Sequence, residues 1–407
     1  MNADELYSDP NGIARYYSKF DVAGRVLLSG HSHQAWPDVA FRGQQQAWLD
    51  AARHVDDKWP LASEKADDVR RGYARLLGCD PHQIALAAAT HELVVRLLSA
   101  LPLGARPRIV TTTGEFHTIR RQLARLEEDG LEVVRVDVDP IESLAERVAA
   151  RVDDRTAATF VSSVLFESAR IVPGLALVQQ ACDRAGAAFL VDVYHQLDVV
   201  PMSLADDGLE NAFVTGGGYK YCQLGEGNAF LRVPDGWERL RPAITGWFSE
   251  FGVVTAAAGA AHSSGDGEQG PVPYGVGPAR FAGATYDPTS HYRAAEVFRF
   301  FAEMSLSPAL LREVSQHQVG LLIDGFDGLD LDPGVISRDR STALDGIAGF
   351  LALRAPRAAE LKTRLREGGV FSDHRGDILR LGPAPYLSDR QLRDGIAALD
   401  AAVRGLA

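Results

Sequence analysis

From about residue 83 the chain alternates short apolar runs with amphipathic segments. Apolar runs at 84–88, 108–112 and 131–136 are each followed by helical spacing, beginning at Thr90, about Glu115 and about Ile141. The series continues with 156–162, a helix over 175–185, and 187–193. Runs that are apolar on both faces and alternate with helices predict an α/β fold with a mostly parallel sheet covered on both sides. Ligands in such folds sit at the carboxyl ends of the strands, so the residues just after each run become the candidates. Upstream, apolar residues recur at three- and four-residue steps over 39–55 and 61–77, while 1–37 reads as irregular. Downstream, helices are expected at 290–303 and 307–324, a strand at 347–353 and a helix from Ala358. Short strands near Val370 and at 378–381 and a helix from Ser388 complete a second, α+β unit. Between the two, 254–278 is rich in Gly, Ala and Ser and reads as a loop, either a lid or a linker.

The composition, 407 residues with 46% hydrophobic and 24% charged, is that of a globular chain with a sizeable core. A net charge of -12 argues against nucleic acid or an anionic membrane as partner and favours small-molecule chemistry. Cys79, Cys182 and Cys222 form no metal-ligand or disulfide pattern, so no metal is expected. The start lacks a basic segment followed by an apolar one, and no apolar run approaches membrane-span length. The expectation is a cytoplasmic protein.

The most unusual stretch is 215–227, in which Ala212, Phe213 and Val214 lead into Gly216-Gly217-Gly218-Tyr219-Lys220-Tyr221. Three glycines allow close approach of another body, and a lysine at a strand end between two tyrosines suggests a reactive, partly desolvated amine. Asp192 ends the run Phe189-Leu190-Val191, with His195 three residues on. A buried carboxylate there needs a partner: an arginine, a capping role, or a protonated ring nitrogen of a cofactor. Thr90 and His91 follow another run, where a hydroxyl caps a helix or the free N–H groups bind phosphate. Phe116 follows a third run and either packs or stacks on a flat ring. His31 and His33, between Gly30 and Trp36-Pro37, belong to a surface turn or line a pocket.

Taken together, Val191-Asp192-Val193-Tyr194-His195, Tyr219-Lys220-Tyr221 with Gly225 and Gly227, Gly246-Trp247, Arg280-Phe281-Ala282-Gly283 and the segment from Arg380 to Tyr386 carry a resemblance. The chain resembles pyridoxal-phosphate enzymes of the aspartate aminotransferase superfamily, class V branch, and within it is most similar to kynureninase, from about residue 25 onward. The resemblance implies the fold type I architecture: a large domain over 65–253 with a mostly parallel seven-stranded sheet, and a small α+β domain from 1–64 and 279–407. It implies pyridoxal 5′-phosphate as cofactor, bound covalently by Lys220, which would also move the substrate α-proton. Asp192 would hold the pyridine nitrogen protonated, Phe116 would stack on the ring, and His195 would lie beside it. Thr90, His91 and Tyr219 would bind the phosphate. Trp247 would reach a neighbouring subunit's site, implying a homodimer with shared active sites. Arg380 would grip the substrate α-carboxylate. The three glycines would then reflect crowding by the cofactor.

Departures from the kynureninase pattern fall where the substrate side chain would lie. They comprise Gly30-His31-Ser32-His33, Phe248-Ser249-Glu250 and Ala284-Thr285-Tyr286-Asp287-Pro288, which makes His31, His33 and Thr285 candidate substrate contacts. The expected reaction is kynureninase-like hydrolytic Cβ–Cγ cleavage of kynurenine or a related amino acid, with an aminotransferase or β-lyase as the alternative. A cysteine desulfurase fits less well, because it needs a thiol on a late loop and no cysteine follows Cys222.

Overall fold

The computed structural model describes residues 1–250 and 272–406. Its central sheet is built from β2 to β8, taken after β1 (Val26–Leu27): β2 (Ile84–Ala87), β3 (Arg108–Thr112), β4 (Glu132–Val136), β5 (Thr156–Ser162), β6 (Ala188–Asp192), β7 (Phe213–Gly217) and β8 (Ala229–Arg232). The spatial order is β2-β8-β7-β6-β5-β3-β4, and every neighbouring pair is parallel except those made by β8. Strands β5, β6, β7 and β8 are buried along their whole length, which is why their sequences are mostly apolar on both faces rather than alternating. Helices Thr90–Ala100, His117–Glu128 and Leu175–Ala185 make the crossovers.

The smaller unit contains β9 (Leu351–Arg354), β10 (Val370–Phe371), β11 (Asp373–Arg375) and β12 (Ile378–Leu381). β11, β12 and β9 form an antiparallel sheet, and β1 pairs in parallel with β10, joining the start of the chain to its end. The helices Pro308–Asp327, Ala358–Glu367 and Asp389–Arg404 pack around it, while Thr289–Glu303 packs against the helices Asp38–His54 and Trp59–Leu77. The last is capped by Ser388, whose side chain accepts from Gln391 N while Gln391 reaches back to the Ser388 N–H.

Two expectations need correction. Residues 1–37 are not wholly irregular: they hold the helix Ala3–Tyr7, the 3-10 segment Ala14–Phe20 and β1. The strand expected at 347–353 begins only at Leu351, because Ala348 N is drawn to Ala169 O (2.8 Å) and Gly349 passes the Tyr221 ring too closely for any Cβ. The loop expected at 254–278 lies outside the described residues up to 271. Among the described residues no helix is long and apolar enough to cross a membrane.

Candidate active site

The carboxyl ends of β2, β3, β5, β6 and β7 bring the candidate residues to one edge of the sheet. After β7 the chain turns through Gly218 and Tyr219, and Lys220 is buried with its Nζ 2.9 Å from His195 Nε2. The amine also lies 4.9 Å from the Tyr194 ring centre, 5.4 Å from that of Phe116 and 5.5 Å from that of Tyr219. Burial lowers its pKa to about 7; Asp192 opposes this, while Arg380 and Arg375 add to it. Asp192 is pushed up by burial, and its Oδ1 accepts from Tyr194 N at 2.9 Å. His195 is held well below the usual imidazole range by burial and by Lys220, so it is a neutral ring, with Nδ1 buried and unpartnered.

The lysine turn is braced by the N-terminal segment. Gln34 N donates to Tyr219 O (3.2 Å), Gln223 Nε2 donates to Gln34 Oε1 (2.8 Å), and Tyr17 Oη donates to Gln223 Oε1 (2.5 Å). Gln223 sits at φ 58°, a left-handed conformation that this network holds in place. Each of the three glycines is crowded by a protein neighbour. A Cβ at Gly217 would meet Tyr194 Oη at 2.2 Å, one at Gly218 would meet Leu224 at 2.5 Å, and one at Gly216 would meet Phe230 at 3.0 Å. Gly216 and Gly217 are strand residues of β7 rather than parts of an open turn.

At the end of β2 the helix Thr90–Ala100 begins without a side-chain cap: its N-cap is Ala89, and the Thr90 hydroxyl turns instead toward Gly216 O at 3.4 Å. That leaves a helix start able to hold a phosphate. His91 beside it is exposed. The Phe116 ring follows β3 and meets Phe166 edge-on at 5.3 Å. Arg380 is buried; Nη1 donates to Phe166 O (2.6 Å), Nη2 pairs with Asp373, and Nε is unpartnered. His31 is fully buried against Phe350 (4.6 Å between ring centres), with neither ring nitrogen hydrogen-bonded; burial lowers its pKa to about 3. His33 is exposed and stacks on Tyr219 at 4.8 Å.

Trp247 and Thr285 are placed elsewhere in the chain. Trp247 Nε1 donates to Thr285 Oγ1 at 3.1 Å, and Thr285 lines a cavity of about 910 Å³ with Trp59, Phe248 and Tyr286, which Lys220, Asp192 and His195 do not line. Three residues of the lysine cluster were not singled out from the sequence. Glu115 is buried, accepts from Thr112 Oγ1 (2.6 Å), Ser162 Oγ (2.7 Å) and Ser162 N (3.1 Å), and is raised by burial to about 7. Asp373 and Arg375 share the Arg380 corner. A carboxylate just after a strand could have flagged Glu115; nothing in the polar run Ser372-Asp373-His374-Arg375-Gly376-Asp377 marks the other two.

The residues fit pyridoxal phosphate: a buried amine of lowered pKa, a carboxylate at the adjacent strand end, an aromatic face and an uncapped helix start. Among the described residues no cluster of His, Cys, Asp and Glu could hold a metal.

No family model matches the chain. It is 23% identical over 379 residues to YcbU of Bacillus subtilis (strain 168), named an uncharacterized aminotransferase, covering 91% of this chain and 92% of the relative. It is 28% identical over 349 residues to isopenicillin N epimerase of Streptomyces clavuligerus, covering 82% and 83%. Among solved structures it superposes on C-DES, in a lysine-to-alanine mutant with glycine covalently linked to the PLP cofactor, with a TM-score of 0.81 at 14% identity over 95% and 98% of the two chains. C-DES is named a cystine C-S lyase in its complex with cysteine persulfide. A cysteine desulfurase from Thermococcus onnurineus NA1 superposes with a TM-score of 0.78 at 16% identity over 97% and 98%. The fold is fold type I of the PLP-dependent enzymes, and the chain resembles their class V aminotransferase-like branch.

Proposed function

We propose that this chain is a pyridoxal 5′-phosphate-dependent enzyme acting on an α-amino acid, with transamination as its reaction. The observation that carries the reading is Lys220: a buried amine whose pKa is lowered to about 7, between a strand-end carboxylate and an aromatic face. The kynureninase-like cleavage suggested by the motifs has no counterpart among the relatives described, whereas YcbU is named an aminotransferase. A β-lyase is the second reading, favoured by the likeness to C-DES.

Bound at this site, pyridoxal phosphate supplies an electron sink for the pair released at the substrate α-carbon. Lys220 holds the cofactor and, once released, takes and returns the α-proton at its Nζ. His195 Nε2 sets the orientation of that amine. Asp192 would pair with the ring nitrogen and keep it charged, and Phe116 would shield one ring face from water. The start of the helix Thr90–Ala100, with Thr90, His91 and Tyr219, holds the phosphate. Arg380 holds the α-carboxylate, with His31 and His33 near the substrate. Cys222 is buried and its thiol is pushed up by burial, so it is no candidate for desulfurase chemistry. In a homodimer with shared sites, Trp247 and Thr285 would serve the neighbouring subunit; sedimentation tests that assembly.

The purified protein with pyridoxal phosphate is expected to absorb near ~420 nm and to lose that band in Lys220→Ala, as a covalent lysine link requires. A colourless protein that takes up no cofactor overturns the reading. Products from an amino-acid panel that includes kynurenine then separate the reactions. Dependence on a 2-oxo acid marks transamination, pyruvate with ammonia marks β-elimination, and alanine with an aromatic acid marks hydrolysis.

A further inference from the structure

Residues 28–35 are bonded to both sides of the site. On one side they run beside Gly382, two residues after Arg380. Gly382 N donates to Leu28 O and Gly30 N donates to Gly382 O, both at 2.8 Å, and Ala35 N donates to Tyr386 Oη at 3.0 Å. On the other side they meet the lysine turn. Gln34 N donates to Tyr219 O, the Gln34 side chain accepts from Gln223 Nε2, and Gln223 N donates to Lys220 O at 3.1 Å. Both peptide carbonyls that flank the Lys220 nitrogen and carbonyl carbon are therefore tied to one segment, the first directly and the second through Gln223.

The segment has little slack. Ser32 N and His33 N both donate to Ser29 O, at 2.9 and 3.0 Å, which closes it into a turn. Its contact with the smaller unit is tight: a Cβ at Gly30 would meet Pro383 O at 2.6 Å and Gly382 O at 3.0 Å, and one at Gly382 would run into the His31 ring. At the lysine end Gln34, Gln223 and Tyr17 are all buried, and the Gln223 amide is used at both ends, donating to Gln34 and accepting from Tyr17. A buried amide with either end unpaired is costly, so the three side chains hold one arrangement. A contiguous run of packed and bonded groups of this kind conveys a displacement from one end to the other.

We propose that Gln34 and Gln223 are positioning residues for the Lys220 amine, and that residues 28–35 are a strut that makes the place of this amine depend on the segment that follows Arg380. This rests on the reading of Lys220 as the amine that takes the cofactor. A shift of Gly382 moves Leu28 and Gly30, the turn at Ser29 carries it to Gln34, and Gln34 draws on Tyr219, the residue before Lys220. Movement of the smaller unit thus reaches the amine through the backbone and regulates the site without a contact inside the pocket.

Competitive acetylation of the cofactor-free protein with acetic anhydride across a pH series tests this, read by mass spectrometry of the Lys220 peptide, with the exposed Lys362 as the reference for reagent strength. The midpoint of the profile reports the surroundings of the amine, and the plateau reports access. Wild-type Lys220 is expected to turn reactive near pH 7. Gln34→Ala and Tyr17→Phe loosen the lysine end, and Gly30→Ala pries the strut from Pro383 at the far end. The charged groups that face the amine, Asp192, His195, Asp373, Arg375 and Arg380, are kept in all three, so a moved midpoint reports a moved amine. Each variant is expected to raise the midpoint by at least about half a pH unit, as relief of burial requires. A staple that only held the fold together would lower the melting temperature and leave the midpoint in place. Circular dichroism checks folding; if Gln34→Ala does not fold, Tyr17→Phe decides, and if Gly30→Ala does not, Tyr386→Phe, which removes the acceptor of Ala35 N, replaces it. An unmoved midpoint in the folded lysine-end variants overturns the positioning role, and one in the folded far-end variant overturns the strut. The labelling needs no cofactor, so absence of the ~420 nm band and failure of the strut are separate results.

Discussion

Lys220 Nζ and His195 Nε2 are 2.9 Å apart in a pocket that buries both side chains. One of the two must donate, and since burial holds His195 neutral, the proton the pair shares belongs to the amine at low pH and is lost near pH 7.

Uptake of pyridoxal phosphate by the cofactor-free protein is therefore expected to rise with a midpoint near pH 7, read from absorbance, and not near the 10.5 of a free lysine. Stability follows the same shift. Between about 7 and 10.5 the unfolded chain holds a proton that the native chain lacks, so stability climbs with pH across that window. Lys220→Met is expected to flatten the climb in denaturant titrations of the cofactor-free protein.

Glu115 gives the opposite slope. Its pKa is raised from 4.5 to about 7, so the unfolded chain loses the proton first and stability falls as pH rises between those values. Glu115→Gln stays neutral. Relative to it, the wild type is expected to lose stability progressively from pH 4.5 to 7, measured by thermal melts across the range. Parallel pH profiles would sink the assignment.

Gly217→Ala would place a methyl group 2.2 Å from Tyr194 Oη. Overpacking of this kind costs roughly 1–3 kcal/mol, and here it would also displace the turn that carries Lys220. Adding Tyr194→Ala is expected to restore part of the stability, whereas a cofactor-crowding origin for the glycine would predict no rescue in the cofactor-free protein.

Arg380→Ala is expected to raise KM for the amino acid, since a charged hydrogen-bonded contact contributes about 1.5–3 kcal/mol. It also removes one of the two guanidinium partners of Asp373, leaving Arg375 at 2.9 Å, so the variant should melt earlier while Asp373 stays paired. An unchanged KM removes Arg380 from the site.

The parallel part of the sheet was legible because burial on both faces writes itself as unbroken apolar runs: 108–112 and 156–162 are β3 and β5 to the residue. β8 was missed because it returns antiparallel after a glycine-rich turn, where alternation with helices gives no signal. Lys220 and Asp192 announced themselves as charges at the ends of apolar runs. Asp373 and Arg375 did not, because their partnership depends on a strand pairing within a polar run. The protein neighbours of the glycines, Tyr194 and Leu224, were not legible because they meet them only after folding.

Among the described residues β2 pairs within the sheet solely with β8. The helix start at Thr90, where we propose that the phosphate binds, touches β7 at Gly216 O, but the strand that leads into it is held in the sheet by β8, which leaves the ribosome long after it. A nascent chain halted before Ala229 would already possess Lys220, Asp192 and the Gly216 partner of Thr90, yet lack the strand that pairs β2 into the sheet. Cofactor capture would then mark the completion of synthesis through β8, and chains stalled at successive lengths should acquire colour only once β8 is free to pair.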